Sequence, residues 1–134
     1  YVNTSAISGM EVASVLNEDP NYVFKTLVTI GKSGNHFVFL VPVNRELNLK
    51  KAAKTVGEKS ISMVKQAELL PLTGYIHGGC SPVGMKKLFK TVIDESASSY
   101  DKIIFSGGKI GYQIETNLEE LKKVIYFELN DIVK

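Results

Sequence analysis

A mixed α/β fold, a mixed β-sheet or partial barrel flanked by helices within a single domain, is what this sequence predicts. Three observations lead there. Segments rich in β-branched and aromatic residues outnumber those with helical spacing. Two of them, Tyr22 to Ile30 and His36 to Val43, stand on either side of a turn and read as a hairpin, while later ones are separated by longer connections. The 134 residues contain no repeat, linker or low-complexity stretch, which suits one core over residues 1–134.

In chain order, Ser8 with Glu11 forms a capping-box pattern, and Val12, Val15 and Leu16 follow at helical spacing. Asp19-Pro20-Asn21 stops that helix. The turn of the hairpin is Gly31-Lys32-Ser33-Gly34-Asn35, and its second strand is apolar enough to be buried on both faces. A short helix places Leu49, Ala52, Ala53 and Val56 on one face, and Gly57 ends it. Lys65 to Leu70 reads as one or two helical turns cut off by Pro71. Thr73 to Pro82, with Gly74, Gly78 and Gly79, reads as an ordered loop. Thr91 to Asp94, Ile103 to Ser106 and Lys109 to Glu115 read as strands, with Gly107-Gly108 turning between the last two. A final helix starts at Asn117, with Glu120 in the capping-box position and Leu118, Leu121 and Ile125 inward. Tyr126 to Val133 is apolar enough to pack.

Composition narrows the function. Hydrophobic residues make up 44% and charged residues 22%, near the values of soluble globular proteins. The longest apolar run, Phe37 to Val43, falls short of the roughly 20 residues that span a bilayer, so no membrane partner is expected. The first twenty residues carry no secretory signal pattern, and the chain begins with Tyr1 rather than Met, which leaves room for a segment ahead of it. Cys80 is the lone cysteine, so no internal disulfide is expected and a reducing, cytoplasmic setting suits it. The net charge is +2 and Arg45 is the one arginine, which disfavours sequence-specific reading of duplex DNA and leaves backbone contact with a nucleic acid open.

No conventional catalytic set emerges. His36 and His77 are the two histidines, and neither accompanies a G-x-S-x-G elbow. His77 and Cys80 have the spacing of two metal ligands but lack a second pair, so no metal is expected. Cys80 reads as a small buried residue, or as a nucleophile only if a neighbour lowers its pKa. Ser106-Gly107-Gly108-Lys109-Ile110-Gly111 superficially matches a dinucleotide fingerprint, but a strand rather than a helix follows it. Lys25 interrupts an apolar strand, either as an outward-facing charge or as a functional cation.

Together these segments resemble a known family. Val23-Phe24-Lys25-Thr26-Leu27-Val28 resembles its VFKTLV strand, and Val41-Pro42-Val43 with Leu47-Asn48-Leu49-Lys50-Lys51 its next conserved stretch. Thr73 to Gly84 is similar to TGYxxGGxSPxG, Ser106-Gly107-Gly108-Lys109 to its SGGK hairpin, and Asp94 to an aspartate after an apolar strand. The blocks run in order over residues 9 to about 128. The resemblance is to the YbaK/EbsC group of aminoacyl-tRNA deacylases. It implies a hydrolase for mischarged tRNA, with Cys-tRNA(Pro) the first substrate to test and Ala-tRNA(Pro) or another small residue the alternative. A non-catalytic binder of aminoacyl or nucleotide ends is the rival from another class.

The resemblance further implies aminoacylated tRNA(Pro) as partner, prolyl-tRNA synthetase as a second one, and no cofactor. It implies a site of Lys25, Gly78 and Gly79 for the chemistry, and of Thr26, Ser81, Pro82, Ser106, Gly107 and Gly108 for the substrate. Lys86, Lys87 and Lys90 read either as a contact for the acceptor end or as a solvated face. Two positions depart from the family pattern, Ile110 where arginine is common and Gln113 where an acid is common. The family's N-terminal tyrosine has no secure counterpart.

Overall fold

The β-branched and aromatic run expected at Tyr22 to Ile30 folds as β1, Phe24–Gly31, and its neighbour as β2, His36–Pro42, paired antiparallel from Phe24↔Pro42 to Ile30↔His36. The computed structural model describes residues 20–75, 81–83, 89–108 and 113–134. The expected helix around Ser8 to Leu16 lies outside the described residues; Pro20–Tyr22 forms a 3-10 turn.

Around the hairpin grows a five-stranded mixed sheet in the order β3-β1-β2-β4-β7. β3, Ile61–Met63, runs antiparallel beside the end of β1. β4, Lys90–Asp94, lies parallel to β2, and β7, Glu128–Asn130, parallel to β4. β5, Ile103–Ser106, and β6, Gln113–Thr116, make a separate antiparallel hairpin. The predicted mixed sheet is therefore present, as an open sheet rather than a closed barrel. The edge strands β3 and β7 were not legible in the sequence. Each has three residues, too few for a period-2 pattern, and each exists because a longer strand presents unpaired backbone groups to it.

β2 is buried on both faces because each face of the sheet carries its own core. Phe24, Val28, Val38, Leu40 and Ile93 face one cluster, with Ile103, Phe105, Leu121 and Phe127. Phe37, Phe39, Val41 and Val92 face the other, with Ala52, Ala53, Ile132 and Val133. Helix α1, Leu49–Val56, covers the second face through Ala52 and Ala53. The Asn48 side chain accepts from Lys50 N and Lys51 N at its start, and Gly57 ends it in the left-handed region at φ 75°.

Helix α2, Gln66–Thr73, corrects one expectation: it runs through Pro71 instead of stopping before it. Proline removes a single backbone bond, and the last turn closes by other means. Gly74 N donates to Leu70 O at 2.9 Å and Thr73 Oγ1 donates to Leu69 O at 2.8 Å. The final helix, α3, Leu118–Lys122, starts as expected, with Asn117 Oδ1 accepting from Glu120 N at 2.9 Å. The reciprocal half of the box is replaced by an ion pair, since Glu120 Oε1 accepts from Lys123 Nζ at 3.1 Å. No helix among the described residues is long and apolar enough to cross a membrane.

The tail locks the second face. Leu47 bridges Val133, Asn48 N donates to Ile132 O at 2.8 Å, and Lys134 N donates to Glu46 O at 3.1 Å. Lys51 Nζ pairs with Asp131 at 2.8 Å, and the bond from Lys51 holds the Asp131 carboxyl below the usual aspartate range. Asp94, 2% exposed, ends β4 by accepting from Ser96 N and Ile132 N, both at 3.2 Å. Asp94→Ala strands both donors in the interior. It is expected to lower stability by about 1–3 kcal/mol, read as a drop in the urea midpoint; an unchanged midpoint contradicts this role.

Candidate functional site

The candidate site begins where three strands meet. Val23 lies between Val43, whose N–H donates to Val23 O at 2.8 Å, and Ile104, with which it forms a parallel bridge. Val23, Val43 and Ile104 form a small buried cluster of their own. Side chains alternate along a strand, so Lys25 and Ser106, each two residues beyond the bridged pair and running the same way, extend that face. Pairing at the start of β1 thus places the strand lysine and the hairpin serine on one side of the sheet.

Lys25 does not project into open solvent. Its side chain is 27% exposed, and Nζ stands 3.6 Å from Glu46 Oε1, a carboxylate 75% exposed on the turn after β2. Such an exposed pair is worth at most about 1 kcal/mol, so it orients the ammonium group and yields easily to another anion. The backbone carbonyl of Glu46 is in turn held by Lys134 N, which ties this turn to the tail.

Thr26 points to the opposite face, between Phe24 and Val28 of the first core. Its Oγ1 is buried and makes no hydrogen bond. A buried hydroxyl without a partner costs stability and calls for an explanation. The sequence grouping of Lys25 with Thr26 therefore separates into two sides of one strand.

The two glycine segments meet through Tyr75, which belongs to the Thr73–Gly84 motif but not to the site residues the resemblance implies. Tyr75 N donates to Thr73 Oγ1 at 3.0 Å, and Tyr75 Oη donates to Val83 O at 2.5 Å, joining the two ends of the loop. Ser81, 2% exposed, accepts from Val83 N at 3.3 Å, and Pro82 beside it is buried. Across from this staple lies Gly108, in the left-handed region at φ +105°, where an added Cβ would stand 3.0 Å from Tyr75 Cε1. Ser106 Oγ accepts from Gly108 N at 3.3 Å, which leaves its own proton to donate elsewhere. Gly107 is exposed. The signal for Tyr75 was a tyrosine amid glycines, since a part-buried phenol needs a partner for its hydroxyl.

Other expected residues fall elsewhere. Gly78, Gly79, His77, Cys80, Lys86, Lys87, Lys109 and Ile110 lie outside the described residues. Gln113 opens β6, opposite Ser106. Lys90 is exposed and paired with Glu128 at 3.5 Å. His36 opens β2 with its ring 5.6 Å from that of Phe89. Asp94 serves the fold rather than this face, because both its oxygens accept backbone N–H groups. Among the described residues no group of three His, Cys, Asp or Glu side chains could hold a metal ion.

Comparison with known proteins converges on one family. The model of the aminoacyl-tRNA editing domain matches residues 5–124. The chain is 48% identical over 109 residues to a protein of Enterococcus faecalis provisionally named Cys-tRNA(Pro)/Cys-tRNA(Cys) deacylase EbsC, covering 81% of this chain and 66% of that one. It is 33% identical over 110 residues to a proline–tRNA ligase of Thermosipho melanesiensis, covering 81% of this chain but 19% of the ligase. The chain thus spans just under two thirds of the first relative and about a fifth of the second. Among solved structures, one described provisionally as a trans-editing enzyme for prolyl-tRNA synthetase superposes with a TM-score of 0.89 at 25% identity, covering 99% of this chain and 83% of that one.

The contact between the two glycine segments has a measurable consequence. Gly108→Ala imposes both a disfavoured backbone and a crowded Tyr75 ring, and is expected to cost about 1–3 kcal/mol. Gly107→Ala, exposed and without a positive φ, is expected to cost no more than about 0.5 kcal/mol. Equal denaturation midpoints for the two variants would show that the close approach does not constrain the hairpin.

Proposed function

The chain belongs to the aminoacyl-tRNA editing domain family, and on that premise we propose that it hydrolyses the ester of mischarged aminoacyl-tRNA, with Cys-tRNA(Pro) as substrate. The observation that carries the reading is the shared face of Lys25 and Ser106, set by the Val23–Ile104 bridge. The similarity to EbsC supports the cysteinyl ester, and the similarity to proline–tRNA ligase supports tRNA(Pro) and prolyl-tRNA synthetase as partners. The cytoplasm is the compartment this substrate requires, and residues 1–134 act as one editing unit.

The substrate is an activated ester, so the protein's share of the work is positioning and charge stabilisation. Lys25 holds the phosphate or ribose end of the aminoacyl-adenosine, exchanging its weak pairing with Glu46 for the ligand. Ser106 donates its free proton to the adenosine or the amino acid. Ser81 and Pro82 bound the pocket and Gly107 and Gly108 admit close approach of the ligand, whereas Thr26, on the opposite face of β1, takes no part. Backbone N–H groups of Gly78 and Gly79 stabilise the oxyanion, where one donor is worth about 10²–10³ in rate.

In this scheme the nucleophile belongs to the substrate. The cysteinyl sulfur attacks its own carbonyl as the bond to the ribose oxygen breaks; that oxygen takes up the thiol proton, and water then opens the thioester ring to free cysteine. An alanyl ester has no such sulfur and must use water or a ribose hydroxyl. A size difference is worth only about 1–3 kcal/mol in a pocket, so reactivity separates cysteine from alanine as much as fit does.

A panel of tRNAs charged with cysteine, alanine, serine and proline tests this, with release of labelled amino acid as the readout. Cysteine leaving tRNA(Pro) fastest is the expected result; protection of every ester identifies a binder instead. Lys25→Ala is expected to slow deacylation at least about tenfold, with the fold intact by circular dichroism. Thr26→Val removes a hydroxyl that is unpaired at rest, so stability should hold or rise. Its activity should stay within about twofold, because the hydroxyl faces away from Lys25 and Ser106. A loss of about fivefold or more in a folded Thr26→Val variant would contradict that placement.

A further inference from the structure

A cleft of about 420 Å³ opens at the beginning of β1 and β5, lined by Tyr22, Ser99, Tyr100, Asp101 and Lys102. The rings of Tyr22 and Tyr100 meet edge to face, with centroids 5.7 Å apart and planes at 65°. Lys102 Nζ sits 5.4 Å from the Tyr22 ring centre and 2.8 Å from Glu115 Oε1. Tyr22 also packs against the core, whereas Tyr100 belongs to none of the three buried clusters or the residues packed on them. Burial in the core therefore does not account for Tyr100.

The cleft lies upstream of Ser106. Lys102, Ile104 and Ser106 alternate onto one side of the chain through β5, and Tyr22, next to the bridged Val23, packs against both the first core and the Val23–Val43–Ile104 cluster. Three to four residues at about 3.3 Å each separate it from Lys25 and Ser106, or roughly 10–13 Å. Two nucleotides ahead of a terminal adenosine cover that distance when the strand is unstacked and extended beyond its rise of about 3.4 Å per stacked step.

We infer that this cleft stacks an unpaired cytosine of single-stranded RNA, one that precedes the aminoacylated adenosine in the acceptor end. The inference rests on the deacylase reading and adds to it a second point of contact with the tRNA. A ring already braced by Tyr22 loses little freedom when a base stacks on it. Lys102 is already neutralised by Glu115, so the cleft is a base platform rather than a phosphate socket. Asp101, exposed at its rim, can accept but not donate when ionised. It suits the exocyclic amino group of cytosine and opposes the carbonyl that uracil presents at the same place.

The test uses the intact protein and an uncharged, fluorescently labelled RNA hexamer ending in CCA, followed by anisotropy. Tyr100→Ala is expected to weaken binding at least about fivefold, in line with roughly 1–3 kcal/mol per stacked base, while Tyr100→Phe stays within about twofold. Replacing the cytosines by uracil is expected to weaken binding to the parent protein, and Asp101→Asn to narrow that preference. Circular dichroism checks that each variant is folded, and the exposed Asp101 gives a second route if Tyr100→Ala does not fold. Equal binding by Tyr100→Ala and the parent, indifference to cytosine or uracil, or no saturable binding by the parent overturns the inference. Because the probe carries no ester, a protein that binds it in this pattern but releases no amino acid sinks the deacylase reading and leaves the cleft standing.

Discussion

Val23 is the residue on which the site's architecture turns. It is 1% exposed, receives the N–H of Val43 on one edge and bridges Ile104 on the other. That single parallel bridge attaches the β5–β6 hairpin to the start of β1 and lays Lys25 and Ser106 along one face. β3 occupies the same edge of β1 further along, from Thr29 to Gly31. The edge of β1 is thus shared by two partners, one at each end. Open sheets with such a divided edge can carry a binding face without closing into a barrel.

The stiffness of that face comes from packing on both sides of the sheet. Phe39, Leu40, Val41, Val92 and Ile93 show no exposed surface, and they alternate between two separate cores. Strands filled on both faces have little freedom to slip, since a shift of one residue would exchange the contents of the two cores. The tail contributes at a distance: Ile132 O, Val133 and Lys134 N pair with Asn48 N, Leu47 and Glu46 O around the turn that carries Glu46, and Glu46 orients Lys25. Asp94 joins the same tail to the end of β4.

Electrostatics on this protein act by orientation more than by strength. Lys25, Lys90 and Lys102 are each paired with a carboxylate on an adjoining turn or strand, at 3.6, 3.5 and 2.8 Å. Pairs this exposed add little stability, but they bias flexible ammonium groups toward particular orientations. The same economy marks the turn of the first hairpin. There the Ser33 N–H and hydroxyl bind Glu58 and hold its carboxyl below the usual glutamate range. The unpartnered Thr26 hydroxyl is the opposite case, a polar group whose burial gains nothing from the protein around it.

Local chemistry made much of this legible in advance. The β1–β2 hairpin, α1 with its Gly57 stop, β4, β5 and the start of α3 at Asn117 all follow from short-range pattern and capping, and the ordered motifs pointed to the family. Pro71 removes one backbone bond, and the Thr73 and Gly74 bonds that close the helix around it are not evident from the local pattern. β3, β7, the Tyr75 staple and the pairing of Lys25 with Glu46 were beyond reach, since each depends on residues distant in the chain. The sequence by itself determined which segments become strand, helix or turn, and which residue types were available for chemistry. Only the tertiary structure decided which strands are neighbours, that Lys25 and Thr26 face opposite sides, and that two glycine segments meet across a tyrosine ring. Propensity and capping act over a few residues, whereas strand order and register are settled by burying two cores at once.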